Sequence, residues 1–143
     1  MPEHARPATL EDLKQLARSL DEQGAPYLLI GGYALLAHGY PRATVDIDLL
    51  VPSNRAAAEA VRQALLVLPD GVAAQLDPAW FEEGEGIRVA DEITVGLVFR
   101  TCGEAYESLK PFEQVVDLDG VVLRTKQSDR ARDASDRALR PGA

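Results

Sequence analysis

The feature that most constrains this chain is a short alternating segment, Thr44-Val45-Asp46-Ile47-Asp48-Leu49-Leu50-Val51. Side chains of an extended strand point alternately to its two faces. Val45, Ile47, Leu49 and Val51 therefore share one face, and Thr44, Asp46, Asp48 and Leu50 share the other. Aspartate is a poor strand former, and two carboxylates this close repel, a cost tolerated where a cation lies between them. Their oxygens are hard ligands, so Mg2+ or Mn2+ is the natural ion. Ile47, pointing into the core, would hold the pair rigid. The alternative is an idle pair on the solvent face of an edge strand, but the apolar flanks are those of a buried one.

Upstream, Pro26 opens an apolar run, Tyr27 to Ile30, that ends on Gly31-Gly32. Short, apolar and bounded by glycine, this run predicts a buried strand. Paired glycines between a strand and a helix let the backbone approach a ligand and leave N–H groups free for phosphate. Taken alone such a pair is usually only a turn; followed at this distance by the Asp46-x-Asp48 strand, it gains weight.

The remaining pattern alternates helices and strands. Leu10, Leu13, Leu16, Ala17 and Leu20 recur at helical spacing, with Thr9 as N-cap and Gly24 as the stop. Tyr33 to His38 predicts a short helix, and Ser53 or Asn54 caps another that runs to Leu68. Val72 to Leu76 reads as a strand, and Pro78 to Gly86 as an acidic loop or short helix around Trp80 and Phe81. Ile87–Val89 and Ile93–Phe99 read as strands meeting at a tight Asp91-Glu92 turn. Gly103 to Lys110 predicts a helix, and Phe112–Asp117 with Val121–Arg124 a hairpin across Asp119-Gly120. Residues 125–143 are expected to form a charged C-terminal helix or tail.

Length and charge exclude several classes. At 143 residues the chain fits one domain spanning 1–143, and 46% hydrophobic with 27% charged residues is ordinary for a globular protein. No apolar run is long enough to span a membrane, and Met1 to Arg6 leads into no signal-like segment, so a cytoplasmic protein is expected. A formal charge of −8 argues against an extended nucleic-acid surface but leaves room for a nucleotide carried in with its metal. Cys102 is the lone cysteine and is expected to be a small packing residue.

Together, Gly31-Gly32, the short helix after it and the strand bearing Asp46-x-Asp48 resemble the signature of the polymerase-beta-like nucleotidyltransferase superfamily. The likeness is strongest to the small bacterial branch that includes minimal nucleotidyltransferases and abortive-infection toxins, and it runs from Gly31 to Val51. A weaker likeness joins Lys126, Arg130, Asp133 and Asp136 to that family's C-terminal helix. The resemblance implies an α/β (α+β) nucleotidyltransferase fold, a mixed sheet of about four to six strands flanked by helices. It implies that Asp46 and Asp48 are catalytic and hold Mg2+ or Mn2+, that Gly31 and Gly32 cradle a nucleoside triphosphate, and that Arg42 and Thr44 contact its phosphates. Arg42 could equally pair with the aspartates as a structural ion pair. His38 is expected to be packed or to donate its N–H rather than to be catalytic; Tyr33 and Tyr40 could stack on a base, with a core or rim role expected for both. A nucleotide would pass from the triphosphate to a hydroxyl on protein or RNA. A toxin–antitoxin setting, with a partner protein encoded nearby, is also implied.

One position departs from the pattern. The family carries a third carboxylate on a neighbouring strand, here Ile93 to Phe99, whose site face is Thr94, Gly96 and Val98; the expected acid is Gly96. Asp91, Glu92 or Glu104 could reach in from a strand end, the site could turn over slowly with one metal, or the chain could be a catalytically degenerate nucleotide-binding or regulatory module.

Overall fold

The computed structural model describes residues 5–37 and 46–126. Helix α1 (Leu10–Glu22) opens with a capping box: Thr9 accepts from the Asp12 N–H, and the Asp12 carboxylate accepts from the Thr9 N–H. Its stripe Leu13, Leu16, Ala17 and Leu20 is buried. Strand β1 (Leu28–Ile30) runs directly into helix α2 (Gly31–Ala37). Strand β2 (Ile47–Leu50) follows, then helix α3 (Arg55–Leu65), which is capped by the Asn54 side chain at the Ala57 N–H. Helix α4 (Pro78–Glu83) starts on proline, whose missing N–H is no loss there, and stops at Gly84. Strands β3 (Ile87–Ala90) and β4 (Thr94–Val98) form one hairpin. Strands β5 (Arg100–Thr101) and β6 (Glu104–Ala105) form a small ribbon, followed by helix α5 (Tyr106–Leu109). The last hairpin is β7 (Glu113–Leu118) with β8 (Val121–Lys126), turning on Asp119 and Gly120, both at positive φ.

Six strands make one mixed sheet in the order β3-β4-β2-β1-β8-β7. β2 runs parallel to β4 and antiparallel to β1, while β1 runs parallel to β8. Alternation along each strand divides the apolar side chains between two faces. Leu29, Ile47, Leu49, Val95, Leu97 and Leu123 join the buried residues of α1 and α3 in the main core. Leu28, Leu50 and Tyr106, with Ile30, Val98 and Leu109, pack on the opposite face. The expected division of the Ile93–Phe99 strand therefore holds: Ile93, Val95, Leu97 and Phe99 are in the main core and Val98 lies across the sheet.

Three expectations are corrected. Val72–Gln75 is a 3-10 turn, not a strand, because Gly71 sits at φ 67 and the Asp91 carboxylate accepts from the Asp70 and Val72 N–H groups, closing the chain tightly. The helix expected from Gly103 is confined to Tyr106–Leu109, since Glu104 and Ala105 pair with β5 and Pro111 in the following 3-10 turn has no N–H to give. Cys102 is exposed rather than packed; it stands at φ 51 in the turn of the β5–β6 ribbon. Of the residues expected in the C-terminal segment, Thr125 and Lys126 belong to β8, and residues 127–143, with Arg130, Asp133 and Asp136, lie outside the described residues.

Candidate active site

The sheet brings the sequence signals to one place. Ile30 pairs with Asp48, so Gly31, the next residue, stands beside that carboxylate. A Cβ at Gly31 would lie 2.9 Å from Asp48 Oδ2, and the residue also sits at φ 76. On the other side Asp48 pairs with Gly96 in parallel register, and a Cβ at Gly96 would lie 2.5 Å from Asp48 Oδ1. Both separations are shorter than non-bonded atoms accept. The Asp48 carboxylate thus occupies a slot whose two walls are glycine backbone. A side chain at Gly31 or Gly96 would therefore require the Asp48 carboxylate to move from its present place.

Gly96 in turn pairs with Arg88 of β3. Arg88, Gly96 and Asp48 form a row across three strands, and side chains in such a row share a face. The Arg88 guanidinium reaches the other carboxylate: its Nη2 donates to Asp46 Oδ2 at 3.0 Å. The Arg88 side chain is 71% exposed, that of Asp46 27%. Burial pushes the Asp48 carboxyl above its usual range, the negative charge of Asp46 pushes it the same way, and Arg88 partly offsets both. A cation held between Asp46 and Asp48 would relieve both unfavourable causes.

Among the described residues no three His, Cys, Asp or Glu side chains come together as a metal cage. The two carboxylates nevertheless fit one hard divalent ion of the kind that takes one or two carboxylates and completes its shell with water and substrate phosphate. Asp48, half-buried and held between glycines, has the fixed placement such a ligand needs.

Other expected residues fall elsewhere. Arg42, Thr44, His38 and Tyr40 lie outside the described residues. Gly32 follows Gly31 in the first turn of α2 and is partly exposed. Tyr33 is a core residue, buried, with its hydroxyl donating to the Ala8 carbonyl. Of the acids considered as substitutes at position 96, Asp91 does not serve: the residue is 6% exposed and its carboxylate accepts from the N–H groups of Asp70, Val72 and Glu92. Glu92 forms an ion pair with Arg6 at 3.2 Å, and Glu104 is exposed on the β5–β6 ribbon.

Arg88 is the site residue that sequence reasoning missed. A two-residue Asp91-Glu92 turn would set Arg88 opposite Val95, on the core face. The Asp91 N–H instead bonds to the Ile93 carbonyl, and the extra turn residue shifts the register by one, bringing Arg88 opposite Gly96. The alternation of Ile87 and Val89 was the signal that could have found it.

A solved structure of a candidate nucleotidyltransferase from Thermotoga maritima superposes with a TM-score of 0.62 at 16% identity, covering 93% of this chain and 86% of that one. The mixed sheet with its flanking helices is thus the nucleotidyltransferase fold. The family model described as "Nucleotidyl transferase AbiEii toxin, Type IV TA system" matches residues 14–129, and the chain belongs to that family. No curated protein matches the sequence.

Proposed function

We propose that this protein transfers a nucleoside monophosphate from a nucleoside triphosphate to a hydroxyl group on protein or RNA, with Mg2+ or Mn2+, as the toxin of a toxin–antitoxin pair. The observation that carries this reading is the nearness of Asp46, just before β2, to Asp48 within it, with the Asp48 carboxylate seated between Gly31 and Gly96. Family membership supports the nucleotidyl chemistry and a cognate antitoxin. Nucleoside triphosphates are intracellular, which supports a cytoplasmic setting, and among the described residues no helix is long and apolar enough to cross a membrane.

In this reading Asp46 and Asp48 hold the cation, and the triphosphate lies against Gly31 and Gly32, with Arg42 and Thr44 as further phosphate contacts. The cation, when bound, neutralises phosphate charge and eases ionisation of the acceptor hydroxyl. The acceptor oxygen bonds to the α-phosphorus while the bond from that phosphorus to the α,β-bridging oxygen breaks. Pyrophosphate leaves with the bonding pair, and the hydroxyl proton passes to water. Gly96 offers no carboxylate to take that proton, so turnover is expected to be slow.

The test is incubation with each α-labelled triphosphate, Mg2+ or Mn2+, and protein and RNA acceptors. Label should become covalently attached, pyrophosphate should be released, and both should vanish in Asp46→Ala and Asp48→Ala. Gly96 and the engagement of Asp91 and Glu92 elsewhere favour a second reading, a nucleotide-binding regulatory module. Binding without transfer for all four triphosphates would establish it.

A further inference from the structure

At the end of β1 away from the Asp48 slot lies a cavity of about 380 Å³. Tyr27 precedes β1 and Gly31 follows it, so this three-residue strand puts roughly 13 Å between the two positions. Several elements line the cavity: Asp21 near the end of α1, Tyr27 at the entry to β1, Tyr106 of α5, Lys110 of the 3-10 turn after it, and Arg124 of β8. They share unused donor capacity. The Arg124 guanidinium stands 3.5 Å from Asp21 and 4.0 Å from Glu113, and it donates a hydrogen bond to no described residue. Lys110 gives one donor to Glu113 at 2.7 Å and keeps the others. The Tyr27 hydroxyl accepts from the Arg124 backbone N–H at 3.2 Å but donates to no described residue, and the Tyr106 hydroxyl bonds to none. Burial pushes both phenols up, that of Tyr27 to about 12, so both keep the proton that makes them donors. Among the described residues Glu113 Oε1 is the only side-chain polar atom sealed from solvent without a partner, so the unpaired Tyr106 hydroxyl meets open space.

We propose that this cavity is a second ligand site, separate from Asp46 and Asp48, that binds a small phosphate-bearing molecule without a metal ion. Buried or half-buried donors are ordinarily paired, and here four donor groups with capacity to spare meet one lining acid, Asp21. The complementary ligand brings several acceptor oxygens. Phosphate presents its oxygens in three dimensions, as donors arriving from α5, β1 and β8 require, whereas those of a carboxylate lie in one plane. Arginine and lysine are the side chains that recognise phosphate most strongly, the first by its planar fork and the second as a point charge. The volume falls near the small end of ligand sites, which run from roughly 300 to 1,000 Å³, and suits a phosphate carried on a small organic body. Asp21 opposes the anion and lies against Arg124, so it limits the affinity.

The test is titration of the full chain in EDTA, which keeps divalent ions from the carboxylate pair, with inorganic phosphate, pyrophosphate and adenosine monophosphate, and with acetate as the control. Calorimetry gives the affinities, and amide chemical shifts locate the site. At least one phosphate probe should bind, with the shifts centred on Asp21 to Tyr27, Tyr106 to Lys110 and Arg124. Arg124→Gln should weaken that probe at least ten-fold, and Lys110→Gln and Tyr106→Phe several-fold. Asp21→Asn should tighten it several-fold, a gain that the mere loss of an ion pair would not produce. Equal binding of phosphate and adenosine monophosphate would place recognition in the oxyanion; tighter binding of the nucleotide would place its organic part in the cavity as well. Circular dichroism checks the fold, and Tyr106→Phe, which keeps the ring, carries the test if Arg124→Gln unfolds.

Failure of all three phosphate probes to bind, acetate binding as well as phosphate, shifts centred on Gly31 and Asp48, or affinities unchanged in Arg124→Gln and Tyr106→Phe would each overturn the proposal. None of these results bears on the nucleotide-transfer reading, which is tested with triphosphate and metal present.

Discussion

The slot around Asp48 makes a quantitative prediction that a pair of glycines can test. Gly24 and Gly31 both lie at positive φ, 64° and 76°, so alanine at either meets the same backbone penalty, about 1–2 kcal/mol. They differ in what the added methyl would touch. At Gly24 nothing lies within 4 Å, whereas at Gly31 the methyl would lie 2.9 Å from Asp48 Oδ2. To make room, the carboxylate must shift or turn about its own side-chain bonds, away from its place between the two glycines. Crowding of this kind in a packed site costs about 1–3 kcal/mol more. Gly24→Ala should therefore destabilise by about 1–2 kcal/mol and Gly31→Ala by about 2–5 kcal/mol. At roughly 3–5 °C per kcal/mol for a chain of this size, the two melting temperatures should differ by about 3–15 °C. Urea unfolding of both variants, each also made in an Asp48→Ala background, isolates the contact. Removing the carboxylate should abolish most of the excess at Gly31 and leave the Gly24 cost unchanged. Equal costs at the two glycines, or no coupling between Gly31 and Asp48, would refute the slot.

Two further predictions concern the frame around the site. Asp91→Ala should cost about 3 kcal/mol in urea unfolding, because three backbone N–H groups lose their acceptor, and Asp91→Asn should cost less, since one amide oxygen can still serve the Asp70 and Glu92 N–H groups that share Oδ1. Asp12, hydrogen-bonded by Arg6 and by Thr9, has its pKa lowered from 3.8 to about 2. Its contribution is thus complete above about pH 4 and is lost as pH falls toward 2, so Asp12→Asn should cost about 1 kcal/mol at pH 6, after allowing for the exposure of Arg6, and progressively less below pH 3.5.

Much of this architecture was legible because periodicity reports faces directly. The alternation from Val45 to Val51 placed Asp46 and Asp48 opposite Ile47 and Leu49, and the structure buries Ile47 and Leu49 in the main core as that pattern requires. The Ile93–Phe99 strand divided as expected for the same reason. Failures came where long-range partners override local preference. Val72–Leu76 has strand-forming residues at its ends, yet a carboxylate one helix and one strand further along the chain, Asp91, pins the segment as a turn. The site was legible up to the register of one hairpin: Gly96 could be identified as a non-acid, but that Arg88 stands opposite it and reaches Asp46 depended on one extra turn residue. The tight approach of Asp48 to both glycines is a contact across three strands, which a single sequence does not display.

The central claim is that Asp46 and Asp48 form the site where a triphosphate binds with its metal. Calorimetric titration of the wild type, Asp46→Asn and Asp48→Asn with each nucleoside triphosphate in the presence of Mn2+ tests it most directly. The wild type should bind at least one triphosphate, binding should require Mn2+, and each substitution should weaken it by ten-fold or more with the fold intact. Triphosphate binding that persists unchanged in both variants, or that is indifferent to Mn2+, would contradict the assignment.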